Sequence, residues 1–378
     1  MGRAEELNAA LAGELEAEGI LTSPRWRAAL LAVPRHRFVP AAAWASLDTG
    51  DRQGFRIDRD ADPVRWLETA YADAVIVTQT EDGAGDPTRG QGDATSSLSA
   101  PGIATLFGEL LDPRGRVLEI GTGSGWTAGL LAHLADEVVS VEIDPVLAER
   151  AEANLAFLRR RPEVLTADAA ALAFAPSSFD GLHVTCGVGE LPWSWIAALR
   201  PGGRGVVPWS PPFGMGHRTL LVRTGEQEAV GTFHGQCGYM MLRSQRGERG
   251  KVFEFLHHWE ARDSERSRLR PSDLTGGAGP GRQAAELLVN ALAPGVAYRL
   301  FGRSGRPGLL LHETGPGSRE NGSWALLENG ELHRYGPRDL VGEVLEALAH
   351  GRPDGEELAL RITPEGQVLT LGGAPLTL

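Results

Sequence analysis

The sequence predicts an α/β fold built on a doubly wound parallel sheet, with a helical cap before it and a smaller α+β module after it. From Arg116 onward, short apolar runs alternate with segments of helical periodicity, which is the pattern of parallel strands joined by crossover helices. The first of these runs, RVLEI, opens directly onto a glycine-rich turn. The length of 378 residues leaves room for more than one domain.

Residues 1–97 are predicted to form an N-terminal helical cap and a substrate loop. Apolar residues recur at helical spacing through the beginning of this segment, and the cap is predicted to end at Pro34. The stretch from Thr80 to Ser99 is rich in Gly, Asp, Thr and Ser, which predicts a long polar loop. Loops of that length are usually functional or disordered.

Residues 98–245 are predicted to form the doubly wound domain. Its predicted strands are RVLEI, VVSVEI, PEVLTAD, FDGLHVT and RGVVPW. Its predicted helices cover Thr127–Leu134, Pro145–Leu158 and Trp193–Leu199.

Residues 246–378 are predicted to form a C-terminal α+β module that recognises the substrate. Helices are predicted at Gln283–Leu292 and Pro337–Ala349, together with short strands such as GLLLHE, SWALLE and ELALRIT. Turn signals at Glu328–Gly330 and Pro364–Gly366 indicate antiparallel pairing. The charged and then Gly/Pro-rich segment from Arg243 to Arg282 is predicted to be a linker.

The composition excludes several classes of protein. Lys plus Arg number 37 against 49 for Asp plus Glu, a net charge of -12 that argues against nucleic-acid or membrane partners. The two cysteines, Cys186 and Cys237, can form neither a disulfide framework nor a zinc site, and no metal is expected. Without a targeting pattern or a long apolar run, the sequence predicts a cytoplasmic protein.

The most informative segment is VLEIGTGSGW, from Val117 to Trp126. Glycines let the backbone approach a ligand closely at the switch point of a doubly wound sheet. The dinucleotide fingerprint GxGxxG is one alternative, but Trp126 stands where its last glycine would be, and a purely structural turn is another. An acid ahead of three alternating glycines is typical of S-adenosylmethionine sites. The predicted cofactor residues here are Glu119, Gly121, Thr122, Gly123, Ser124 and Gly125.

Two further acids follow the next two predicted strands. Glu142, followed by Ile143, is placed so that its carboxylate can accept both hydroxyl protons of a ribose. Asp168 is placed so that it can accept from an adenine amino group while the amide of Ala169 meets the ring edge. Either acid alone could be an ordinary strand-end carboxylate, but together they favour a cofactor site. Thr185 is predicted to be a further cofactor contact.

Other motifs follow one another along the first two thirds of the chain. They are LAVPRHRFVP, TAYAD, SLSAP, VLEIGTGSGWTAGLLA, and FDGLHVT followed by LRPGGRGVVP. In order and spacing they resemble those of protein-L-isoaspartate O-methyltransferases, over approximately residues 1–245. The resemblance implies a Rossmann-like fold, S-adenosylmethionine as methyl donor, S-adenosylhomocysteine as product and a peptide side-chain carboxylate as acceptor.

The resemblance also implies which residues handle the acceptor. The family has a Thr-Ile-Ser triplet where this chain has Ser97-Leu98-Ser99, so Ser97 and Ser99 are predicted to orient the carboxylate. A helix N-cap ahead of Pro101 is the structural alternative for Ser99. Asp93, Thr95 and Ser96 are predicted to help bind the substrate. A carboxylate is ionised at neutral pH and needs no general base, so alignment and desolvation suffice for catalysis.

The long loop and the C-terminal module are expected to distinguish this chain from the repair enzymes of the family. Similar extended enzymes accompany ribosomally made lanthipeptides and graspetides in actinobacteria. That resemblance implies a modified precursor peptide as partner, methylated on one aspartate after cyclisation so that an aspartimide and then isoaspartate form. The alternatives are repair of isoaspartyl peptides and a binding protein that has lost the chemistry.

Overall fold

The computed structural model describes residues 2–47, 54–247, 252–279, 281–303, 306–351 and 357–376. The chain divides into two compact units. The first comprises Met1–Cys186, Pro192–Val207 and Leu220–Gln227, and the second comprises Gly187–Leu191, Pro208–Thr219 and Glu228–Leu378. No helix in the described ranges is long and apolar enough to cross a membrane.

The first unit contains helices and strands in mixed order. Along the chain these are α1 (Arg3–Ala17), α2 (Pro24–Ala32), β1 (Ala42–Leu47), β2 (Phe55–Asp58), α3 (Pro63–Ala70), β3 (Ala74–Thr80), β4 (Ala94–Leu98), α4 (Pro101–Leu111), β5 (Arg116–Ile120), α5 (Trp126–Leu134), β6 (Glu137–Glu142), α6 (Pro145–Leu155), β7 (Glu163–Thr166), β8 (Phe179–Val184), α7 (Trp193–Ala198) and β9 (Leu199–Trp209).

The sequence predicted helices and a loop for the N-terminal segment, but its described residues include four strands as well. Strands β1 to β4 form an antiparallel sheet in the order β2-β1-β3-β4. The prediction of a loop from Thr80 to Ser99 is therefore wrong for the residues of β4. This strand is rich in Ser and Thr, as loops often are, and it forms by pairing with the apolar β3. What joins the two strands is the connection Glu81–Asp93, which we call the hairpin tip.

The parallel sheet confirms the predicted α/β fold. Its strands lie in the order β7-β6-β5-β8-β9 and every neighbouring pair is parallel. Helix α5 connects β5 to β6, and α6 connects β6 to β7, as expected for crossover connections. The Asp144 side chain caps α6 by accepting from the amides of Val146 and Leu147, and Pro145 occupies its first turn. Helix α6 ends at Leu155, one turn earlier than predicted.

The second unit is dominated by antiparallel strands. Its elements are β10, which begins there (Gly216–Arg223), β11 (Ala229–Cys237), β12 (Asp263–Arg266), α8 (Arg282–Leu292), β13 (Val296–Arg303), β14 (Arg306–Glu313), α9 (Ser318–Asn321), β15 (Trp324–Glu328), β16 (Glu331–Tyr335), α10 (Leu340–Ala349), β17 (Leu358–Thr363), β18 (Gly366–Leu371) and β19 (Ala374–Pro375). One antiparallel series runs β12-β16-β15-β14-β13 and another runs β11-β17-β18-β19. Apolar residues of α8, α10, β14 and β15 share one buried core.

The compact units differ from the predicted boundaries at residues 97 and 245. The N-terminal elements belong to the same unit as the parallel sheet, and the predicted linker contains the short strand β12. Antiparallel hairpins do follow the predicted turn signals, since β15 pairs with β16 and β17 pairs with β18.

Candidate active site

The glycine-rich turn lies at the carboxyl edge of the parallel strands, between β5 and α5. Its glycines Gly121, Gly123 and Gly125 have φ of +91°, +55° and +89°. Other residues rarely adopt these left-handed angles. A Cβ on Gly121 would also collide with the hydroxyl of Thr185, whereas a Cβ on Gly123 would make only ordinary contacts. Backbone geometry therefore favours glycine at all three positions, and lack of space adds to this at Gly121.

The residues between the glycines brace the turn from inside. The hydroxyl of Thr122 lies 2.6 Å from that of Ser140 on β6. The carbonyl of Ser124 accepts a hydrogen bond from Asn154 Nδ2 at 3.0 Å. Both Thr122 and Ser124 are buried, so these two predicted cofactor residues fix the shape of the turn.

Glu142, at the end of β6, directs its carboxylate at the glycine turn. Its Oε2 accepts from the amide of Gly123 at 2.8 Å, and its Oε1 accepts from the amide of Asp144 at 3.0 Å. Burial raises the pKa of Glu142, and these amide hydrogen bonds oppose the rise. A carboxylate oxygen can accept more than one hydrogen bond, so both oxygens keep capacity for further donors. Ile143, the next residue, is half-buried.

Asp168 and Ala169 follow the neighbouring strand β7. The Oδ1 atom of Asp168 accepts from the amide of Ala170 at 2.9 Å. Ala169 is buried, and its carbonyl accepts from Trp195 Nε1 at 2.9 Å. This loop is therefore held by its own backbone and by α7.

Thr185 follows β8 and is tied to the glycine turn. Its hydroxyl donates to the carbonyl of Ile120 at 3.0 Å and also to the carbonyl of Gly121. Because β7, β6, β5 and β8 are neighbours in the sheet, four predicted cofactor positions lie at one edge of it. This edge is where doubly wound sheets bind ligands. These four are Gly121, Glu142, Asp168 and Thr185.

Glu119 lies inside the sheet, beneath the turn. It is 0% exposed, and its Oε2 accepts from the hydroxyl of Ser140 at 2.6 Å. Burial raises the pKa of Glu119 to about 8, and burial lowers the pKa of the adjacent His183 to about 4. At neutral pH, Glu119 is therefore mainly a neutral acid that supports the sheet beside a neutral imidazole.

Strand β4 brings the predicted acceptor residues to the glycine turn. An ideal Cβ on Gly123 would lie 3.7 Å from Ser96 Oγ and 3.8 Å from the carbonyl oxygen of Ser97. Ser96 is buried, and its hydroxyl accepts a hydrogen bond from Thr78 Oγ1 at 3.0 Å. Ser97 is half-buried beside it. The space next to Gly123 is therefore bordered by both the turn and the serine strand.

Ser99 lies just past β4. The N-cap of α4 is Ala100, and no side chain caps this helix, so the alternative assignment of Ser99 as its N-cap is wrong. The carbonyl of Ser99 accepts from Arg35 Nη2 at 2.9 Å.

Asp93 and Thr95 belong to the hairpin itself. The hydroxyl of Thr95 donates to Gln79 Oε1 at 2.9 Å and accepts from the amide of Asp82 at 3.1 Å. Asp93 is exposed, and its amide donates to Glu81 Oε1 at 2.5 Å. Thr95 therefore organises the hairpin, while the Asp93 side chain reaches the surface.

Sequence reasoning missed three residues near this site. Arg35 is buried and donates to the carbonyls of Ala70, Ala74 and Ser99. The PRHRF motif could have indicated this residue, because it places an arginine within a turn that was expected to be packed. Gln79 and Asp144 are also buried and joined by a hydrogen bond, for which the local sequence offers no signal.

A family model for protein-L-isoaspartate(D-aspartate) O-methyltransferase (PCMT) matches residues 56–247, about half of the chain. The enzyme of that name from Methanopyrus kandleri is 31% identical over 244 residues, which are 63% of this chain and 91% of that protein. The one from Methanoculleus marisnigri is 38% identical over 159 residues, covering 41% of this chain and 71% of that protein.

A solved structure of a protein-L-isoaspartate O-methyltransferase matches with a TM-score of 0.52 and 20% identity, over 96% of this chain and 99% of that one. This fold match covers almost the whole chain and therefore extends into the C-terminal region. A Plasmodium falciparum structure of this class, in complex with S-adenosyl-L-homocysteine, covers 62% of this chain at a TM-score of 0.46 and 14% identity.

The residues at the sheet edge fit the methyl donor of this family. The uncrowded backbone of Gly123 lies beside the buried carboxylate of Glu142, which can accept further hydrogen bonds. The carboxylate of Asp168 follows the next strand. The family model and the Methanopyrus relative together settle the assignment. The chain belongs to the protein-L-isoaspartate O-methyltransferase family, carboxyl methyltransferases that use S-adenosylmethionine.

Proposed function

We propose that this enzyme methylates the side-chain carboxylate of one aspartate in a cyclised, ribosomally made peptide of the lanthipeptide or graspetide kind. The observation that carries the proposal is the hairpin beside the glycine turn. Its strand β4 presents the Ser96 hydroxyl and the Ser97 backbone carbonyl next to Gly123, and the tip of the hairpin comprises Glu81–Asp93. A long tip on the same hairpin as Ser96 and Ser97 would offer contacts to a bulky, constrained peptide.

The residues at the sheet edge divide the binding of the methyl donor among them. Glu142 would accept from the ribose hydroxyls, and Asp168 from the adenine amino group, with the Ala169 amide at the ring edge. The backbone of Gly121 and Gly123 would border the rest of the molecule. When bound, S-adenosylmethionine supplies an electrophilic methyl carbon on a positively charged sulfur.

The acceptor side needs orientation more than proton transfer. The hydroxyls of Ser97 and Ser99 would donate to one oxygen of the acceptor carboxylate and leave the other aimed at the methyl carbon. An O–C bond forms as the C–S bond breaks, and the sulfur keeps the electron pair. No base is required for this step, because a carboxylate is already ionised at neutral pH.

The ester formed in this way activates the aspartate for ring closure. The backbone nitrogen of the next residue gives up its proton and attacks the ester carbonyl, the C–O bond to the methoxy group breaks, and the departing methoxide takes up a proton to leave as methanol. The resulting aspartimide can then add water to give aspartate or isoaspartate. Methanol is a far better leaving group than the oxide of an ionised carboxylate, so these later steps need no further residue of the enzyme.

Repair of L-isoaspartyl residues is the second candidate function. It is favoured by the names of the relatives and by the fold match of a protein-L-isoaspartate O-methyltransferase along 96% of this chain. The two candidates share donor, site and acceptor chemistry. They differ in whether the accepted carboxylate belongs to an unconstrained isoaspartyl residue or to an ordinary aspartate in a ring.

Methyl-labelled S-adenosylmethionine and three synthetic peptides separate these functions. The peptides are a linear isoaspartyl peptide, a lactone-crosslinked peptide containing one Asp-Gly step, and the uncrosslinked form of the second. We expect labelled ester, and then a loss of 18 mass units from the original peptide, only for the crosslinked one. Methylation of the linear isoaspartyl peptide alone would establish repair instead.

A further inference from the structure

A chain of hydrogen bonds joins the acceptor hairpin to the cofactor edge of the sheet. Gln79 Oε1 accepts from the hydroxyl of Thr95 at 2.9 Å, and Gln79 Nε2 donates to Asp144 Oδ2 at 3.0 Å. The amide of Asp144 donates to Glu142 Oε1, and Glu142 Oε2 accepts from the amide of Gly123. Five residues from β3, β4, β5–α5 and β6–α6 thus share one network.

Gln79 is the link between the two halves of this network. It is 7% exposed, and its side-chain amide donates and accepts at the same time. The pairing of β3 with β4 shifts register between Val77 and Gln79, because Val77 faces Ser97 while Gln79 faces Ser96. Such a bulge re-aims side chains. Here the shift accompanies a buried glutamine that reaches across 65 positions of sequence to Asp144.

Asp144 contacts both the hairpin, through Gln79, and the predicted cofactor site, through Glu142. Its Oδ1 caps α6 through the amides of Val146 and Leu147, while Oδ2 receives Gln79. Its own amide is held by Glu142, the acid proposed to receive the ribose. A ligand that engages Glu142 therefore restrains the turn that presents Asp144 to the hairpin.

We propose that Gln79 is a positioning residue that couples the cofactor site to the acceptor hairpin, so that a bound cofactor orders the strand carrying Ser96 and Ser97. This coupling extends beyond the identity of the acceptor and would operate for either candidate function. By linkage, an ordered acceptor strand favours cofactor binding by the same factor. The enzyme would thus assemble its acceptor site most fully when a cofactor is present.

The test uses S-adenosylhomocysteine alone as ligand and hydrogen exchange of residues 94–98 as readout. In the full-length wild-type protein we expect saturating ligand to slow exchange of these amides about tenfold, within the usual range of coupling between sites. Gln79→Leu should still bind the ligand, as calorimetry would show, but lose the slowing. The double variant Gln79→Glu/Asp144→Asn should restore it, because donor and acceptor are exchanged across the same hydrogen bond.

Thr78→Val is the matched control. It removes a buried hydrogen bond of the same hairpin, to Ser96, without touching Asp144. We expect it to speed exchange with and without ligand and to preserve the ratio between them. A merely structural role for Gln79 predicts the same behaviour for Gln79→Leu, so an unchanged ratio in that variant would overturn the proposal. Absence of ligand-dependent slowing in the wild type would overturn it as well, and calorimetry would show separately whether the cofactor binds.

Discussion

Glu119 and His183 face each other in adjacent parallel strands, with Glu119 Oε1 3.9 Å from His183 Nδ1. Both side chains are almost completely buried. Because the pKa of Glu119 is raised to about 8 and that of His183 is lowered to about 4, this is a pair of neutral groups at neutral pH rather than an ion pair. Glu119 is therefore not an ionic partner of His183, and the acid that contacts the glycine turn directly is Glu142.

The Glu119 carboxyl makes the stability of the protein decline as pH rises towards its folded-state pKa of about 8. Its folded-state pKa of about 8 exceeds the ordinary value of 4.5, so the native state binds the extra proton and stability falls as pH rises between these values. His183 acts oppositely, but only between about 4 and 6.5. We expect wild type to lose about 2 kcal/mol relative to Glu119→Gln between pH 6.5 and 8.5, measured by urea denaturation.

Glu137→Gln is the control for this comparison. Glu137 lies on the neighbouring strand, exposed and paired with Arg116. Its variant should follow the wild-type pH dependence. Parallel curves for wild type and Glu119→Gln would show that Glu119 is ionised in the folded protein.

Gly123→Ala should separate folding from ligand binding. Its φ of +55° lies in the left-handed region, which costs about 1–2 kcal/mol for a residue with a Cβ. The added methyl group would occupy the space between the turn and Ser96. We expect at least a tenfold loss of S-adenosylhomocysteine affinity by calorimetry, a cost of about 1.4 kcal/mol or more.

Gly202→Ala is the control for this substitution. It introduces a similar backbone strain at a position away from the predicted cofactor site. Gly202 has a φ of +77°, and a Cβ there would meet nothing within 4 Å. Its stability loss should resemble that of Gly123→Ala while its ligand affinity stays at the wild-type value. Equal affinities in the two variants would remove Gly123 from the cofactor site.

Ser97→Ala and Asp168→Asn should affect different steps. Loss of a hydroxyl that aligns the acceptor should lower kcat by about 100-fold, the scale of a misaligned reacting group, with little change in S-adenosylhomocysteine affinity. Asp168→Asn should weaken cofactor binding and leave kcat nearly unchanged at saturation. Ser99→Ala should behave like Ser97→Ala. The assigned roles fail if the serine variants weaken the cofactor as much as the aspartate variant does.

The parts of the site that local sequence encodes were predictable. The glycine turn, Glu142 and Asp168 each stand at the end of an apolar strand, and parallel strands bring such ends to one edge. Gln79 could not be found in this way, because its partner lies 65 positions away and its orientation accompanies a register shift. Strand β4 was hidden for a related reason. Its Ser/Thr composition is that of a loop, and only pairing with β3 makes it a strand.

Replacing Arg35 should lower the free energy of unfolding far more than replacing an exposed arginine of the N-terminal elements. It is 1% exposed and donates to three backbone carbonyls, one of them that of Ser99. A lysine carries the charge but lacks the planar fork that reaches all three. We expect Arg35→Lys to lower the free energy of unfolding by about 3 kcal/mol in urea titrations. The control Arg27→Lys, in an exposed pair with Glu16, should change it by less than about 0.5 kcal/mol.

Shortening the hairpin tip should distinguish its role from that of the serine strand. Thr80 pairs with Ala94, so replacing Glu81–Asp93 by Asn-Gly closes the hairpin with a two-residue turn and retains Gln79 and Thr95. If the tip holds a constrained peptide, activity on the crosslinked Asp peptide should fall at least tenfold while S-adenosylhomocysteine affinity stays within about twofold of wild type. Undiminished activity would show that the tip does not contact the acceptor, and the larger substrate would then have to be recognised elsewhere on the chain.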